Sequence, residues 1–131
     1  MAAATVLASV SFTANFERNL EAIERFLLDV QAPQAFDALL DQLMDTVIPN
    51  LERFPDIGRL FLDRPARSVE VRNGLDALQR KLAAIGAGGE LREYVLSDYL
   101  LLYARFGATL YLLSIRHHRQ LSFDFESRWE P

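Results

Sequence analysis

The chain has no cysteine, a single lysine and no long apolar run. The absence of cysteine among 131 residues excludes disulfides, thiolate metal sites and cysteine nucleophiles, and it fits a cytoplasmic protein. Arg105 and Gly107 interrupt the apolar stretch 100–115, which therefore falls short of the roughly 18 residues of a membrane helix. No basic residue precedes Arg18, which argues against a secretory signal. We therefore expect a cytoplasmic protein without a membrane partner.

Half of the residues are hydrophobic and 24% are charged, which is the composition of one globular domain. A chain of this length buries roughly two-thirds of its unfolded surface, so its core needs no disulfide or metal. We predict a single domain over residues 1–131. Its last residues, 120–131, contain Phe123, Phe125 and Trp129, and this tail either folds back on the core or contacts a partner.

The formal net charge of −4 conceals an asymmetry between the two halves. Residues 1–58 carry 3 basic and 9 acidic groups, a net −6, whereas residues 59–131 carry 11 basic and 9 acidic groups, a net +2. We therefore expect any anion-binding surface in the second half. The run Arg59, Arg64, Arg67 and Arg72 is either a docking site for an acidic partner or nucleic acid, or a solvated loop.

The first half reads as one strand followed by a helical hairpin. Alternation and β-branched content predict a strand over Thr5–Phe12. Thr13 or Asn15 can cap the first helix, which ends near Val30. Its apolar stripe is Phe16, Leu20, Ile23 and Leu27.

Pro33 fits the first turn of a second helix, because its missing N–H costs nothing there. The apolar stripe of this helix runs to Val47, and Pro49 then breaks the pattern. We expect residues 54–59 to form a loop. Residues 60–90 are less regular, and Leu75, Leu78 and Leu82 favour a short helix that ends at Gly86.

Three apolar, aromatic-rich runs over 91–96, 99–106 and 109–117 predict strands, separated by turn signals of hairpin length at 97–98 and 107–108. The predicted fold class is α+β, with the N-terminal strand and helical hairpin packed on a C-terminal antiparallel sheet of three to four strands.

Strict alternation along the last strand places Leu113, Ile115 and His117 on one face, and Ser114, Arg116 and His118 on the other. The two histidines then point apart unless the strand bends.

Four segments together resemble the RelE/ParE-type toxins. Residues 91–94, 99–105 and 111–120 resemble the family's C-terminal sheet, in which a strand with an early arginine precedes a tyrosine-rich strand and a strand ending in histidine and arginine. Residues 54–59 resemble the loop that follows the family's helical hairpin.

The resemblance implies the toxin of a bacterial toxin-antitoxin pair, neutralised by an antitoxin segment laid over the apolar and basic surface of the second half. One branch of the family inhibits DNA gyrase, and the other cleaves messenger RNA in the ribosome. The spacing of Arg92 and Tyr99 from Tyr103 is more similar to the gyrase branch. Inhibition of gyrase or of translation is therefore expected, and a ribosome-dependent messenger RNA endonuclease is the alternative.

A metal-independent endoribonuclease would need a base, an acid and cations. His117 and His118 are the candidate base and acid, and Arg92 is the candidate cation. The candidate binding residues are Arg59, Arg116, Arg119, Tyr99 and Tyr103.

Each candidate also has a structural interpretation. The histidines can cap or flank the end of the strand, and the tyrosines can pack within the sheet. Arg92 and Glu93 can form a cross-strand ion pair. No phosphate-binding loop, dinucleotide motif or metal-ligand spacing occurs, so we expect neither a cofactor nor a metal.

Overall fold

The computed structural model describes residues 7–60, 80, 82–86, 88–96 and 98–117. The elements, in chain order, are β1 (Ser9–Phe12), α1 (Ala14–Asp29), α2 (Pro33–Gln42), α3 (Ile48–Arg53), β2 (Arg59–Leu60), β3 (Glu90–Leu96), β4 (Tyr99–Phe106) and β5 (Thr109–His117). Arg80 and residues 82–85 are also helical. Within these described ranges, no helix has the length and apolar character needed to cross a membrane.

The five strands form one sheet in the order β1-β5-β4-β3-β2. Strands β2 to β5 are an antiparallel meander, and β1 joins its edge parallel to β5. The predicted α+β class is confirmed, and the N-terminal strand is the fifth strand of the sheet. Thr5 and Val6 of the predicted strand lie outside the described residues. The strand begins at Ser9, and the preceding Ala8 N–H donates to the Glu52 carbonyl of α3 at 2.8 Å.

The sheet buries apolar side chains on both faces. The helical hairpin covers one face, which we call the hairpin face, and Leu82 packs on the other, the far face. The fully buried hairpin-face residues include Phe16, Val47, Leu51, Leu101, Tyr103, Leu110 and Leu112. The far-face cluster contains Leu91, Leu102, Ala104 and Leu113. The meander is therefore the centre of the domain.

A bulge lies between β4 and β5. Leu102 is opposite Ser114, whereas its neighbour Tyr103 is opposite Leu112, so Leu113 is the extra residue. Leu112 and Ile115 both pack on the hairpin face, and Leu113 packs on the far face. The predicted strict alternation along this strand is therefore wrong, since the bulge changes the face between Leu113 and Ile115.

The first turns of α1 bind the backbone of β5 at this bulge. Thr13 caps α1, because its Oγ1 accepts from the Phe16 N–H at 3.2 Å and also donates to the Leu112 carbonyl at 2.8 Å. The Asn15 amide donates to the Leu113 carbonyl at 2.9 Å. One turn later, the Asn19 side-chain Oδ1 accepts from the Ile115 N–H at 3.1 Å. These bonds orient α1 along β5 in the same chain direction.

The second helix does not end at Pro49, so that prediction is wrong. A π-helical turn, Leu43–Val47, joins α2 to α3, and the Ile48 N–H donates to the Leu43 carbonyl five residues earlier. The wider turn accommodates a proline that has no N–H to donate and whose ring would clash within a regular α-helix. Val47 and Leu51 are therefore buried on one continuous helical arm.

Other predicted boundaries are confirmed. α1 ends at Asp29, with Val30 as its C-cap, and Pro33 begins α2. Gly107 adopts a φ of +63° in the two-residue turn between β4 and β5, a conformation that favours glycine. Leu75 and Leu78 lie outside the described residues, whereas Leu82 is helical and buried.

We expect Thr13→Ala to lower the free energy of unfolding by about 2 kcal/mol, because it removes the helix cap and one of the two hydrogen bonds that Thr13 donates to the buried Leu112 carbonyl. Thr46→Ala, at an exposed position of the π-helical turn, is the matched control and should change the value by less than about 0.5 kcal/mol. Urea denaturation followed by circular dichroism measures both. Equal effects of the two substitutions would refute the anchoring role of Thr13.

Candidate functional site

The loop between α3 and β2 is held by Tyr103 on β4. The Tyr103 side chain is fully buried. Its hydroxyl accepts from the Gly58 N–H at 2.9 Å and donates to the Pro55 carbonyl at 3.0 Å. A Cβ on Gly58 would lie 2.7 Å from the Glu93 carbonyl oxygen and 2.7 Å from a ring carbon of Tyr103. Only glycine therefore allows the loop to approach the sheet this closely.

Burial raises the pKa of the Tyr103 hydroxyl, against the smaller lowering effect of the Gly58 N–H and the nearby Arg92. A neutral phenol is the form that can both donate and accept. The structure thus places Tyr103 in the core, where both hydrogen bonds of its hydroxyl position the loop.

Arg92 on β3 fixes the same loop from its carbonyl side. One guanidinium nitrogen donates to the Gly58 carbonyl at 2.6 Å and to the Asp56 carbonyl at 3.1 Å. The Nε donates to the Glu90 carboxylate at 3.0 Å. Only 14% of the Arg92 side chain is exposed. Arg92 and Tyr103 thus both bind the backbone of this loop.

Arg59 and Glu93 form an ion pair across β2 and β3. The Arg59 Nε donates to the Glu93 carboxylate at 2.9 Å, and a second guanidinium nitrogen binds the same oxygen. The Glu93 side chain is 1% exposed and that of Arg59 is 69% exposed. Arg59 was expected in a loop, but it begins strand β2 and presents an anchored guanidinium at the surface.

Tyr99 and His117 lie at the opposite end of the hairpin face. They are direct partners across β4 and β5, with ring centroids 5.4 Å apart and edge-to-face geometry. Burial, together with the charge of Asp98, raises the pKa of Tyr99. The T-shaped contact stabilises the open end of the β4–β5 pair.

The structure does not bring His117 and Arg92 together. Arg92 is opposite Tyr103, and His117 is opposite Tyr99. Those two tyrosines are four residues apart on β4, a distance of about 13 Å at 3.3 Å per residue. Arg116 is opposite Leu100, which packs on the far face. The candidate side chains therefore divide between two ends and two faces of the sheet.

Several predicted residues lie outside the described part of the chain. These are His118 and Arg119 of the candidate site, the basic residues Arg64, Arg67 and Arg72, and the tail 120–131. The Glu, Asp and His side chains that the structure does describe form no group of three able to hold a metal ion.

A groove of about 790 Å³ lies between the helical hairpin and the end of β4 and β5. Most of its wall is apolar, and we call it the hairpin groove. Its lining residues are Asn19, Ala22, Ile23, Phe26, Leu27, Ala35, Ala38, Leu39, Gln42, Asp98, Tyr99, Ile115 and His117. Phe26 is 63% exposed, so this wall presents a large apolar side chain to solvent. Such a concave apolar surface is suited to binding another chain segment.

The hairpin around this groove is acidic. Residues 14–53 carry eight acidic and three basic side chains. Glu21, Asp37, Asp41 and Asp45 of the predicted acidic surface are exposed, and Glu52 is half-buried. The groove therefore combines an apolar wall with a negative surround.

Sequence reasoning did not find the hairpin groove. A weak signal was available in three alanines on facing sides of the helices, Ala22, Ala35 and Ala38, where larger residues would close the space. This signal is ambiguous without the structure, because alanine is also a common exposed helix residue.

A helical hairpin on one face of a mixed five-stranded sheet, with an apolar groove beside it, is compatible with the RelE/ParE class of small toxin folds. Residues 10–122 match the family model for the ParE toxin of the type II toxin-antitoxin system, parDE. The chain belongs to the ParE toxin family, and the predicted kinship with RelE/ParE toxins is confirmed. No individual curated protein matches the chain. Family membership implies a cognate antitoxin as partner.

Tyr103 makes the stability of the fold sensitive to alkali. Its pKa in the folded protein lies above the ordinary value of 10.0, so the unfolded chain loses this proton first as the pH rises. The free energy of unfolding should therefore fall from about pH 10 upward.

We expect Tyr103→Phe to cost about 1–2 kcal/mol at pH 7, because the Gly58 N–H and the Pro55 carbonyl lose their partner. The variant should then show a weaker decline in stability above about pH 10 than the wild type. Urea denaturation at a series of pH values measures both effects. Parallel declines in the two proteins would contradict the assignment to Tyr103.

Proposed function

We propose that this toxin acts in the cytoplasm by binding and inhibiting DNA gyrase, and that it does not cut RNA. The observation that supports this proposal is the separation of His117 from Arg92 along the hairpin face, with Arg116 on the far face. A protein that inhibits by binding needs an intact contact surface. It does not need acid and base groups that converge on one point.

Cleavage of RNA by its own 2′-hydroxyl, in contrast, requires catalytic groups that converge on one phosphate. A base, an acid and a cation must surround one phosphate within hydrogen-bond reach. Arg92 donates to two loop carbonyls and to Glu90, so its guanidinium serves the fold. His117 is more than about 13 Å along the sheet from it. This arrangement favours binding over catalysis.

The target can be tested with purified components. We expect the protein to inhibit DNA supercoiling by gyrase and to leave messenger RNA intact in a reconstituted translation reaction monitored by primer extension. His117→Ala should inhibit supercoiling as strongly as the wild type, within about twofold, since His117 transfers no proton in this proposal.

The alternative, a ribosome-dependent messenger RNA endonuclease, makes a different prediction for the same assays. New 5′ ends would appear only with ribosomes, supercoiling would be unaffected, and His117→Ala or His118→Ala would lower the cleavage rate by orders of magnitude. That outcome would overturn gyrase inhibition.

We further propose that the cognate antitoxin places an amphipathic helix in the hairpin groove. The groove offers an apolar wall that includes Ile23 and Phe26. The surrounding hairpin carries a formal charge of −5, which favours a segment with basic residues flanking its apolar stripe. This differs from the surface expected from the sequence, which was the basic second half of the chain.

We expect Ala38→Glu to weaken antitoxin binding at least tenfold, because it places a charged side chain within the groove. Gln34→Glu adds the same charge at an exposed position on α2 that does not line the groove, and it should bind as the wild type does. Calorimetric titration with the purified antitoxin compares them. Equal affinities would place the antitoxin elsewhere.

A further inference from the structure

The end of β5 opens into the hairpin groove. His117, the last residue of this strand, is itself part of the groove wall. The chain therefore leaves the sheet beside an apolar cleft.

Helix α1 continues past the end of β5. Thr13 and Asn15 bind the strand at Leu112 and Leu113, and Asn19 binds it at Ile115. Since helix and strand run in the same direction, the second half of α1 extends beyond the sheet. Its apolar side chains then line the groove, and these are Ile23, Phe26 and Leu27. A chain that follows the line of β5 passes beneath them.

The residues that follow have the composition to fill such a cleft. Residues 118–131 contain Leu121, Phe123, Phe125 and Trp129. In extended chain the first three would share one side, because side chains alternate along an extended backbone. Four large apolar side chains in 14 residues are costly to leave in water.

Residues 118–131 are long enough to enter the hairpin groove and follow it. Fourteen residues span up to about 46 Å when extended, whereas the portion of α1 from Ala22 to Asp29 is only about 12 Å long. The segment can enter the groove, follow it and turn back within this reach.

We propose that residues 118–131 fold back into the hairpin groove of their own chain, with Phe123, Phe125 and Trp129 against the wall formed by Ile23, Phe26 and Leu27. The segment occupies the groove intramolecularly, and any partner that uses the groove must displace it. This proposal does not rest on the identity of the target or on where the antitoxin binds.

Trp129 is the only tryptophan of the chain, so its fluorescence reports directly on this segment. In the full-length protein we expect blue-shifted emission and acrylamide quenching at least threefold weaker than in the free peptide 118–131. Phe26→Asp should shift the emission to the red and restore quenching toward that of the peptide, because it places a charge in the apolar wall.

The matched control is Leu28→Asp, which adds the same charge on α1 at a residue that is 54% exposed and does not line the groove. It should fluoresce as the wild type does. Far-ultraviolet circular dichroism confirms that both variants are folded. Because both substituted side chains are already exposed, unfolding is not the expected effect of either change.

Three results would overturn the proposal. The first is quenching of the full-length protein equal to that of the peptide. The second is the same red shift in both variants, since Trp129 would then not distinguish the groove from the outer surface of α1. The third is an emission maximum that moves to the red on dilution, which would place the segment in the groove of a second copy.

Discussion

The anchoring of α1 to the bulge of β5 is the constraint on which the remaining geometry depends. A bulge leaves backbone groups without their ladder partners, and in a buried sheet such groups must find other hydrogen-bond partners. Thr13, Asn15 and Asn19, at the start and in the first turns of α1, provide those partners. The helix is thereby fixed in direction and in register with the strand. Its second half must then extend past the sheet, and this overhang creates the hairpin groove.

The opposite end of the hairpin face is organised around a loop. Tyr103 and Arg92 together make four hydrogen bonds to the backbone of residues 55–58, and Gly58 permits the close approach. Arg92 and Tyr103, which suggested chemistry in the sequence, therefore also stabilise the architecture. Tyrosine and arginine suit both tasks, because each combines a long side chain with strong hydrogen-bonding groups. Sequence pattern alone does not distinguish their roles.

Much of the fold could be predicted from the sequence, since local signals determine it. Thr13 as a cap, Pro33 in the first turn of α2 and the two-residue turn at Gly107 all follow from backbone preferences of single residues. The bulge could not be predicted, because it depends on contacts between residues about 100 positions apart. The helix continues past Pro49 because of the π-helical turn, and no pattern in the sequence predicts that turn. The groove could not be predicted for the same reason, because its walls come from three distant parts of the chain.

The parallel pairing of β1 with β5 joins the two ends of the described chain, with Ser9 opposite Thr109. Contacts between residues so far apart in sequence carry a larger loop-closure entropy than local contacts do, and they slow folding. During synthesis, the first strand and α1 emerge long before the strand that they bind. The bulge contacts that orient α1 cannot form until β5 has left the ribosome. A nascent chain consequently has no completed hairpin groove until residues 109–117 have emerged and paired with the first strand.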